Sequence, residues 1–352
     1  CTTKETAKKS MTLTPPSAQK IAKNLEIHND SRIDNYYWLN NRDDEEVIDY
    51  LERENDYYTK MTAHTKAFQT DLFEEMKARI KEDDESVPYK LRGYFYITRY
   101  EIGKDYPIYT RKKDSLDAPE EILFDVNEMA KGHSYYNLSG MNISEDNRLV
   151  SFGVDTLSRR KYTIFIKDLE TGDILEEKIP LTTGSSVWAN DNKTLFYTRK
   201  DEKTLRSNQI FKHVLGTNQT EDSLVYTEED DTFGTYVYKT KSKEYLIIGS
   251  YSTLTSEFRF VKANEPNEEF KIFQPRERGL EYSIYHYDDR FYVLTNLEEA
   301  TNFRLMKTSE ENTTKEYWTD MLPHRENVLL EDIDIFKDYL VVSERSNGLN
   351  EI

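Results

Sequence analysis

The sequence predicts a mainly β protein: an incomplete β-propeller that follows an N-terminal α-helical arm. Aromatic residues make up 13% of the chain, with 26 Tyr and 16 Phe, and such residues favour the pleated surface of a sheet. From Tyr89 onward, short β-like runs and turn signals recur at steps of about 50 residues, which is typical of propeller blades. Because a twisted blade cannot bury both of its faces alone, consecutive blades are expected to stack on one another.

Each repeat begins with a turn signal and a β-like run, as in Asp191-Asn192 before KTLFYTRKD. The successive steps are 55, 45, 51, 46 and 49 residues, counted from Arg92, Asn147, Asn192, Lys243, Asp289 and Asp338. Further runs such as QIFKHVL and SLVYTE follow in phase, so each repeat supplies four strands. This indicates about five complete four-stranded blades and part of a sixth. An ordinary β-sandwich with accidental spacing is the alternative.

Residues 25–88 are interpreted as the helical arm and residues 89–352 as the propeller. In the arm, Asp43 is a candidate helix cap that forms a capping-box-like pair with Glu46. Apolar residues recur at helical spacing from Val47 to Ile80, on one helix or on two helices broken near residues 62–65. Such an apolar stripe needs a partner to pack against.

Residues 1–24 are polar, contain Pro15-Pro16, and predict a flexible tether. Cys1 is the single cysteine, so an internal disulfide and a cysteine-based metal site are excluded. Followed by TTKETAKKS, Cys1 resembles the lipid-carrying first residue of a mature bacterial lipoprotein. We therefore expect Cys1 to be a lipid attachment site that anchors the protein at the bacterial cell envelope. The alternative is a cytoplasmic protein that starts at Met11.

The net charge of −18 argues against nucleic acid as a partner, because phosphate binding needs a basic surface. The closest pair of glycines is Gly132 and Gly140, so the sequence contains no dinucleotide fingerprint, no P-loop and no G-x-S-x-G elbow. The six histidines show no metal-ligand spacing, and we predict no cofactor and no metal. His213 and His286 lie within predicted strands and are expected to serve in packing. The acidic run 228–231 lacks the calcium-loop pattern and is interpreted as a solvated loop.

Several stretches carry a family resemblance: DNYYWLNNRDDEEVIDYLERENDYY, HTKAFQTDLFEEMKARIKEDDESVPY and VWANDNKTLFYTRKDEKTLRSNQIFKHVLGT. They resemble oligopeptidase B, also called protease II, a serine peptidase of the prolyl-oligopeptidase type. The resemblance extends in order from about Pro15 to the end of the chain.

The resemblance implies a seven-bladed propeller followed by an α/β-hydrolase domain, which contributes the catalytic Ser, Asp and His. Such enzymes cleave short peptides after Arg or Lys, while the propeller keeps folded proteins away from the catalytic residues. No stretch of this sequence matches the hydrolase domain, so no catalytic residue is assigned and the chain is expected to be inactive alone. The missing hydrolase domain is the expected partner, and short basic peptides are the expected substrates of the complete enzyme.

The propeller is expected to offer such peptides acidic walls, and the arm is expected to brace the hydrolase domain. From another class of function, the alternative is an autonomous propeller that binds peptides or proteins at the cell envelope.

Overall fold

The structure, a computed structural model, describes residues 13–352 and divides them into two units, residues 13–84 and Glu85–Ile352. The division lies four residues before the predicted one, which was placed after residue 88. Cys1 lies outside the described residues, so lipid attachment there stays a prediction.

A β-hairpin that was not predicted precedes the helices of the first unit. Strand β1 (Lys23–Ile27) pairs with the antiparallel strand β2 (Asp30–Asp34). The two turn residues, His28 and Asn29, have φ angles of 54° and 63°, the left-handed conformation that a tight type I′ turn requires. The predicted helical arm is therefore helical only after this hairpin.

The described part of the predicted tether is attached to the same unit. The backbone N–H of Ile21 donates to the carbonyl of Asn35 at 2.9 Å. The indole N–H of Trp38 donates to the carbonyl of Gln19, also at 2.9 Å. These two hydrogen bonds hold residues 19–21 against the segment that leads into the helices.

Helix α1 (Glu45–Thr62) and helix α2 (Lys66–Lys77) are separated by a 3₁₀ turn, Ala63–Thr65. This confirms the two-helix form of the prediction, with the break where it was expected. The cap is Asp44 rather than Asp43. Its backbone is extended, with ψ at 127°, and its carboxylate accepts from the N–H of Glu46 at 2.9 Å.

Apart from Val47, which is buried, the apolar stripe of the arm is largely exposed. The exposed fraction is 64% for Tyr58, 67% for Phe68, 60% for Met76 and 68% for Ile80. Large side chains exposed in a row are typical of a surface that another protein surface covers.

The second unit contains one short helix, α3 (Val126–Met129), and five antiparallel sheets. The first sheet has four strands: β3 (Tyr89–Leu91), β4 (Tyr94–Arg99), β5 (Ile108–Lys113) and β6 (Glu120–Asp125). The second sheet has seven: β7 (Asn137–Ile143), β8 (Leu149–Asp155), β9 (Tyr162–Asp168), β10 (Ile179–Trp188), β11 (Thr194–Lys200), β12 (Ser207–Val214) and β13 (Ser223–Thr227).

The remaining three sheets follow in chain order. The third sheet has strands β14 (Gly234–Lys239), β15 (Tyr245–Tyr251), β16 (Ser256–Lys262) and β17 (Lys271–Ile272). The fourth has β18 (Tyr282–Tyr287), β19 (Arg290–Thr295), β20 (Arg304–Ser309) and β21 (Thr319–Leu322). The fifth has β22 (Val328–Ile335), β23 (Leu340–Ser346) and β24 (Leu349–Glu351).

The predicted turn signals lie between the first and second strands of the repeats. Asn147, Asn192, Lys243 and Asp288 have φ angles of 64°, 56°, 69° and 57° in these turns. Asn and Asp tolerate this left-handed conformation better than most residues, which explains why the turns could be recognised in the sequence.

The seven-stranded sheet departs from the prediction of separate four-stranded units. Strand β10 pairs with β9 at its start, where Ile179 lies opposite Ile164. It then pairs with β11, where Val187 lies opposite Phe196. One continuous strand thus ends the second repeat and begins the third.

Three glycines allow this strand to cross its neighbours closely. A Cβ atom on Gly140 of β7 would lie 2.2 Å from the carbonyl oxygen of Gly184 in β10. A Cβ atom on Gly153 of β8 would lie 2.4 Å from the Gly184 Cα. Gly184 itself has a φ of 91°, so only glycine adopts its backbone conformation without strain.

Five buried apolar clusters in the described part of the second unit each combine residues from two consecutive repeats. In one, the rings of Phe124 and Phe152 lie 4.5 Å apart between the first and second repeats. In another, the rings of Phe273 and Phe291 lie 5.0 Å apart between the third and fourth sheets. The sheets therefore stack face to face in chain order, as the repeat pattern predicted.

Candidate functional site

The first strands of the early repeats, β3, β7, β10 and β14, line a cavity of about 930 Å³ in the second unit. In a propeller the blades surround a central channel, and the strands that supply most of the lining of this cavity are the first of their repeats. Its volume is within the range of about 300–1,000 Å³ that small-molecule sites occupy. We therefore treat it as the candidate functional site.

Tyrosine rings form much of the cavity wall. The rings of Tyr89 and Tyr96 are stacked, with centroids 5.2 Å apart, and those of Tyr236 and Tyr238 are stacked at 5.8 Å. Burial raises the pKa of all four phenols. Near neutral pH they stay protonated and present both a flat apolar face and an O–H group.

Polar side chains and a buried tryptophan connect the strands behind the wall. The hydroxyl of Ser186 donates to that of Ser151 at 2.9 Å, and the indole N–H of Trp188 donates to the carbonyl of Asn142 at 3.0 Å. These bonds hold β10 against β7 and β8, so the cavity wall is held in place from both repeats.

An ionic cluster spans three sheets at the cavity. The carboxylate of Glu145, after β7, accepts hydrogen bonds from Arg92, after β3, and from Lys239 of β14. The distance from Lys239 Nζ to Glu145 Oε1 is 2.7 Å. Lys239 is buried, with 6% of its side chain exposed. The cluster therefore joins the first, second and third sheets.

Two asparagines in the adjoining turns support the cluster. Asn147 Oδ1 accepts from Arg92 Nε at 3.2 Å, and Asn190 Oδ1 accepts from Lys239 Nζ at 2.8 Å. Asn190 also donates to the backbone carbonyl of Lys243 at 3.0 Å. The side chain of Lys243 lines the same cavity.

Burial and charge act in opposite directions on these groups. Burial raises the pKa of Glu145, but the hydrogen bonds from Lys239 and Arg92 outweigh it and hold that pKa below its usual value. Burial lowers the pKa of Lys239 and of Lys243, and the charge of Glu145 offsets this only in part. With Glu145 ionised, three basic residues face one carboxylate.

The expectation of acidic walls is therefore wrong for this cavity. Its charged lining residues are Arg92, Glu145, Lys239 and Lys243, and positive charge is in excess. The sequence could not show this, because the protein as a whole carries a net charge of −18. Stacking of the sheets concentrates a local excess of the opposite sign.

His213 is a buried structural residue, as expected. Its Nδ1 lies 2.7 Å from Asp222 Oδ1, and 1% of its side chain is exposed. Tyr197 Oη donates to the other oxygen of Asp222 at 2.8 Å. Burial, together with this carboxylate, raises the pKa of Tyr197 well above its usual value. The three side chains hold the second sheet together at β11 and β12.

His286 lies between Ser242 and Glu310, in a composition that resembles a hydrolytic triad. Its Nδ1 is 2.8 Å from Ser242 Oγ and its Nε2 is 2.8 Å from Glu310 Oε1. The imidazole is fully buried and packs against the rings of Tyr245 and Phe291, at 4.7 and 4.8 Å between centroids. Burial lowers the pKa of His286, which favours the neutral ring. Since no substrate can reach its nitrogens, this group joins the third and fourth sheets.

The acidic run 228–231 is solvated only in part, so its prediction as a solvated loop is wrong for Glu228. This side chain is 3% exposed, and its carboxylate lies 2.6 Å from Arg276 Nη2. It also accepts from Tyr226 Oη at 2.7 Å. Burial raises the pKa of Glu228, but these hydrogen bonds hold it below its usual value. The other three acidic residues of the run are exposed.

Within residues 13–352, no three His, Cys, Asp or Glu side chains are grouped so that they could hold a metal ion. In the same range, every helix is too short or too polar to cross a membrane.

Successive antiparallel sheets that stack face to face, the first three of which line a common cavity, define a β-propeller domain. The chain belongs to the prolyl oligopeptidase family: residues 15–352 match the family model described as prolyl oligopeptidase, N-terminal β-propeller domain. The resemblance found in the sequence is thereby confirmed at the level of the family.

Two curated relatives illustrate this membership. The chain is 38% identical to dipeptidyl aminopeptidase BI of Pseudoxanthomonas mexicana, over 96% of this chain and 49% of the relative. It is 32% identical to protease 2 of Moraxella lacunata, again over 96% of this chain and 49% of the relative. The chain thus spans about half the length of the curated relatives that it matches.

A solved structure agrees with the fold. Oligopeptidase B from Leishmania major has 30% sequence identity and a TM-score of 0.88, over 96% of this chain and 50% of that chain. The chain is therefore similar to the N-terminal, propeller-containing portion of these peptidases.

Proposed function

We propose that this chain is the non-catalytic, substrate-selecting part of a serine peptidase that hydrolyses short peptides after Arg or Lys. The similarity to protease 2 and to oligopeptidase B supports short peptides as the class of substrate. In the complete enzyme, a serine activated by a histidine would attack the peptide bond, and both groups would come from an α/β-hydrolase domain. The chain itself would supply selection by size.

The cavity of about 930 Å³ is the observation that carries this proposal. It is large enough for a short extended peptide. A folded domain of about 100 residues has a radius of gyration of about 13 Å and is too large to enter a cavity of this volume. A peptidase whose substrates must pass this cavity would therefore spare folded proteins.

Preference for Arg or Lys must have another source than this cavity. Arg92, Lys239 and Lys243 would repel a basic side chain held next to them. We therefore assign recognition of the basic side chain to the hydrolase domain, and only the exclusion of large substrates to the propeller.

The exposed stripe of the arm supports a second contact with the hydrolase domain. Burial of the exposed parts of Phe68, Met76 and Ile80 would favour such a contact, by up to about 1.5–3 kcal/mol for each side chain. We propose that the arm packs on the hydrolase domain through this stripe and braces it.

The test combines this chain with a separately produced hydrolase domain of the Moraxella lacunata relative. We expect the mixture to cleave a fluorogenic tripeptide that ends in Arg and to leave a folded protein substrate intact. The chain alone is expected to show no hydrolysis. Hydrolysis by the chain alone, abolished by a serine-directed inhibitor, would overturn the proposal. Peptide binding by the chain with no effect on the hydrolase domain would instead favour an autonomous peptide-binding propeller.

A second candidate function is a dipeptidyl aminopeptidase activity, which the 38% identity to dipeptidyl aminopeptidase BI favours. The two are distinguished by combining the chain in turn with the hydrolase domain of each relative and comparing cleavage with that by each hydrolase domain alone, because a single hydrolase domain would impose its own substrate preference. A substrate with a free N-terminus and a substrate with a blocked N-terminus should be cleaved equally by an oligopeptidase, whereas a dipeptidyl aminopeptidase should cleave only the former.

A further inference from the structure

The basic side chains that line the cavity have N–H donors that form no hydrogen bond within the protein. Arg92 donates three of its five N–H groups, to Asn147, Glu145 and the carbonyl of Ile143. Lys239 donates two of the three N–H groups of its ammonium, to Glu145 and Asn190.

Lys243 is the least satisfied member of this group. Within residues 13–352, its ammonium group makes no hydrogen bond and no ion pair. Burial lowers its pKa, because water no longer solvates the charge fully. Glu145 attracts this ammonium group from a distance but forms no ion pair with it, so an anion that reaches the group directly would stabilise it further.

The walls beside these donors suit an organic ligand more than a bare ion. Tyr89, Tyr236 and Tyr238 offer flat apolar faces, and Met141 and Val187 offer aliphatic surface. A short peptide suits a cavity with basic groups beside apolar walls, because its side chains can pack on the walls and its C-terminus carries a negative charge. A carboxylate can also accept two parallel bonds from one guanidinium group, and Arg92 retains two free donors.

We propose that Arg92, Lys239 and Lys243 bind the C-terminal carboxylate of a short peptide that occupies the cavity. This rests on the proposed function, in which peptides occupy this space. The propeller would then orient peptides as well as exclude proteins, with the C-terminus held at the basic residues and the rest of the chain along the tyrosine wall.

The test measures binding of a fluorescent pentapeptide with a free C-terminal carboxylate and of the same peptide as its C-terminal amide. We expect the carboxylate form to bind the intact chain about 3- to 10-fold more tightly, a range typical of one partly exposed ionic contact. The difference should shrink as salt is added, since salt screens the attraction.

Two variants test whether the preference for the carboxylate peptide depends on Lys243. Lys243→Gln should bring the two peptides to within about 2-fold of each other, as expected when an ionic contact of this size is lost. Glutamine removes the charge but keeps a polar side chain only one atom shorter, and like lysine it is not a glycine, so the turn at φ 69° meets the same constraint. Lys262→Gln is the matched control, because Lys262 is an exposed lysine at the end of β16 that does not line the cavity. This control should keep the full preference.

Equal binding of the two peptides to the unchanged chain would overturn the inference and leave the proposed function standing. Binding of neither peptide would count against both. Competition by inorganic phosphate at millimolar concentration, with no preference for the carboxylate peptide, would overturn the assignment to a peptide and indicate a site for free oxyanions.

Discussion

Replacement of Gly153 by alanine tests the close crossing of strands on which the second sheet depends. The added Cβ would lie 2.4 Å from the Cα and 2.5 Å from the carbonyl oxygen of Gly184. Real Cβ atoms do not approach backbone atoms so closely, and backbone atoms cannot swing away as a side chain can. Strands β8 and β10 would therefore have to separate.

The magnitude follows from the cost of overpacking. Extra atoms in a packed core cost about 1–3 kcal/mol when side chains can adjust, and here only backbone can move, so we expect about 3 kcal/mol. In a domain of this size about 1 kcal/mol lowers the melting temperature by about 2–4 °C, which gives an expected loss of about 6–12 °C. Thermal unfolding followed by circular dichroism measures this loss directly.

Gly234→Ala is the matched control. Gly234 also has an ordinary backbone conformation, but an added Cβ would lie 3.5 Å from the ring of Tyr251, a normal contact distance. We expect its melting temperature to change by less than about 2 °C, as for substitutions without a clash. A Gly153→Ala protein that melts within about 2 °C of the unchanged chain would refute the close approach of β8 and β10.

Three further predictions concern charge and the exposed stripe. Arg276→Met should cost about 3 kcal/mol in the free energy of unfolding, because the buried carboxylate of Glu228 loses its counterion. Glu145→Gln should remove an acid-dependent part of the stability: the folded pKa of Glu145 is lowered, so its contribution is present above the unfolded value of about 4.3 and is lost as the pH falls through the folded value. Denaturation curves at pH 7 and pH 3 measure both effects. The unchanged chain should self-associate through its exposed stripe, and the double variant Phe68→Glu, Met76→Glu should sediment as a monomer at concentrations where the unchanged chain does not.

Each of these predictions has an outcome that contradicts it. Unchanged stability of the Arg276→Met protein would mean that Glu228 finds another counterion or is protonated. If the Glu145→Gln protein lost as much stability on acidification as the unchanged chain, the ionic cluster would not link the sheets. A monodisperse monomer of the unchanged chain would show that the stripe does not drive association.

Much of the second unit could be predicted because its signals are local. The turns at Asn147 and Asn192 adopt a left-handed conformation that asparagine tolerates better than most residues. In the first unit, the spacing of apolar residues left one helix or two open, and the structure has two, separated at Ala63–Thr65. The hairpin of β1 and β2 was missed because its turn, His28-Asn29, lacks the glycine that usually marks such a turn.

The sharing of β10 by two repeats could not be predicted. Gly140, Gly153 and Gly184 are ordinary isolated glycines in the sequence, and their role follows only from contacts across the sheet. The same holds for Glu228, which looks like its three acidic neighbours in the sequence. Glu228 can be buried because its carboxylate pairs with Arg276, which lies 48 positions further along the chain.

The sequence by itself determined the repeat and its strand order, because local patterns of turns and alternating side chains show them, and the resemblance of several stretches indicated the family. The tertiary structure alone decided the chemistry of the cavity. Arg92 and Glu145 are 53 positions apart, and Glu145 and Lys239 are 94 positions apart. Three separate sheets must stack before these charges meet, and for that reason an acidic protein encloses a cavity with an excess of positive charge.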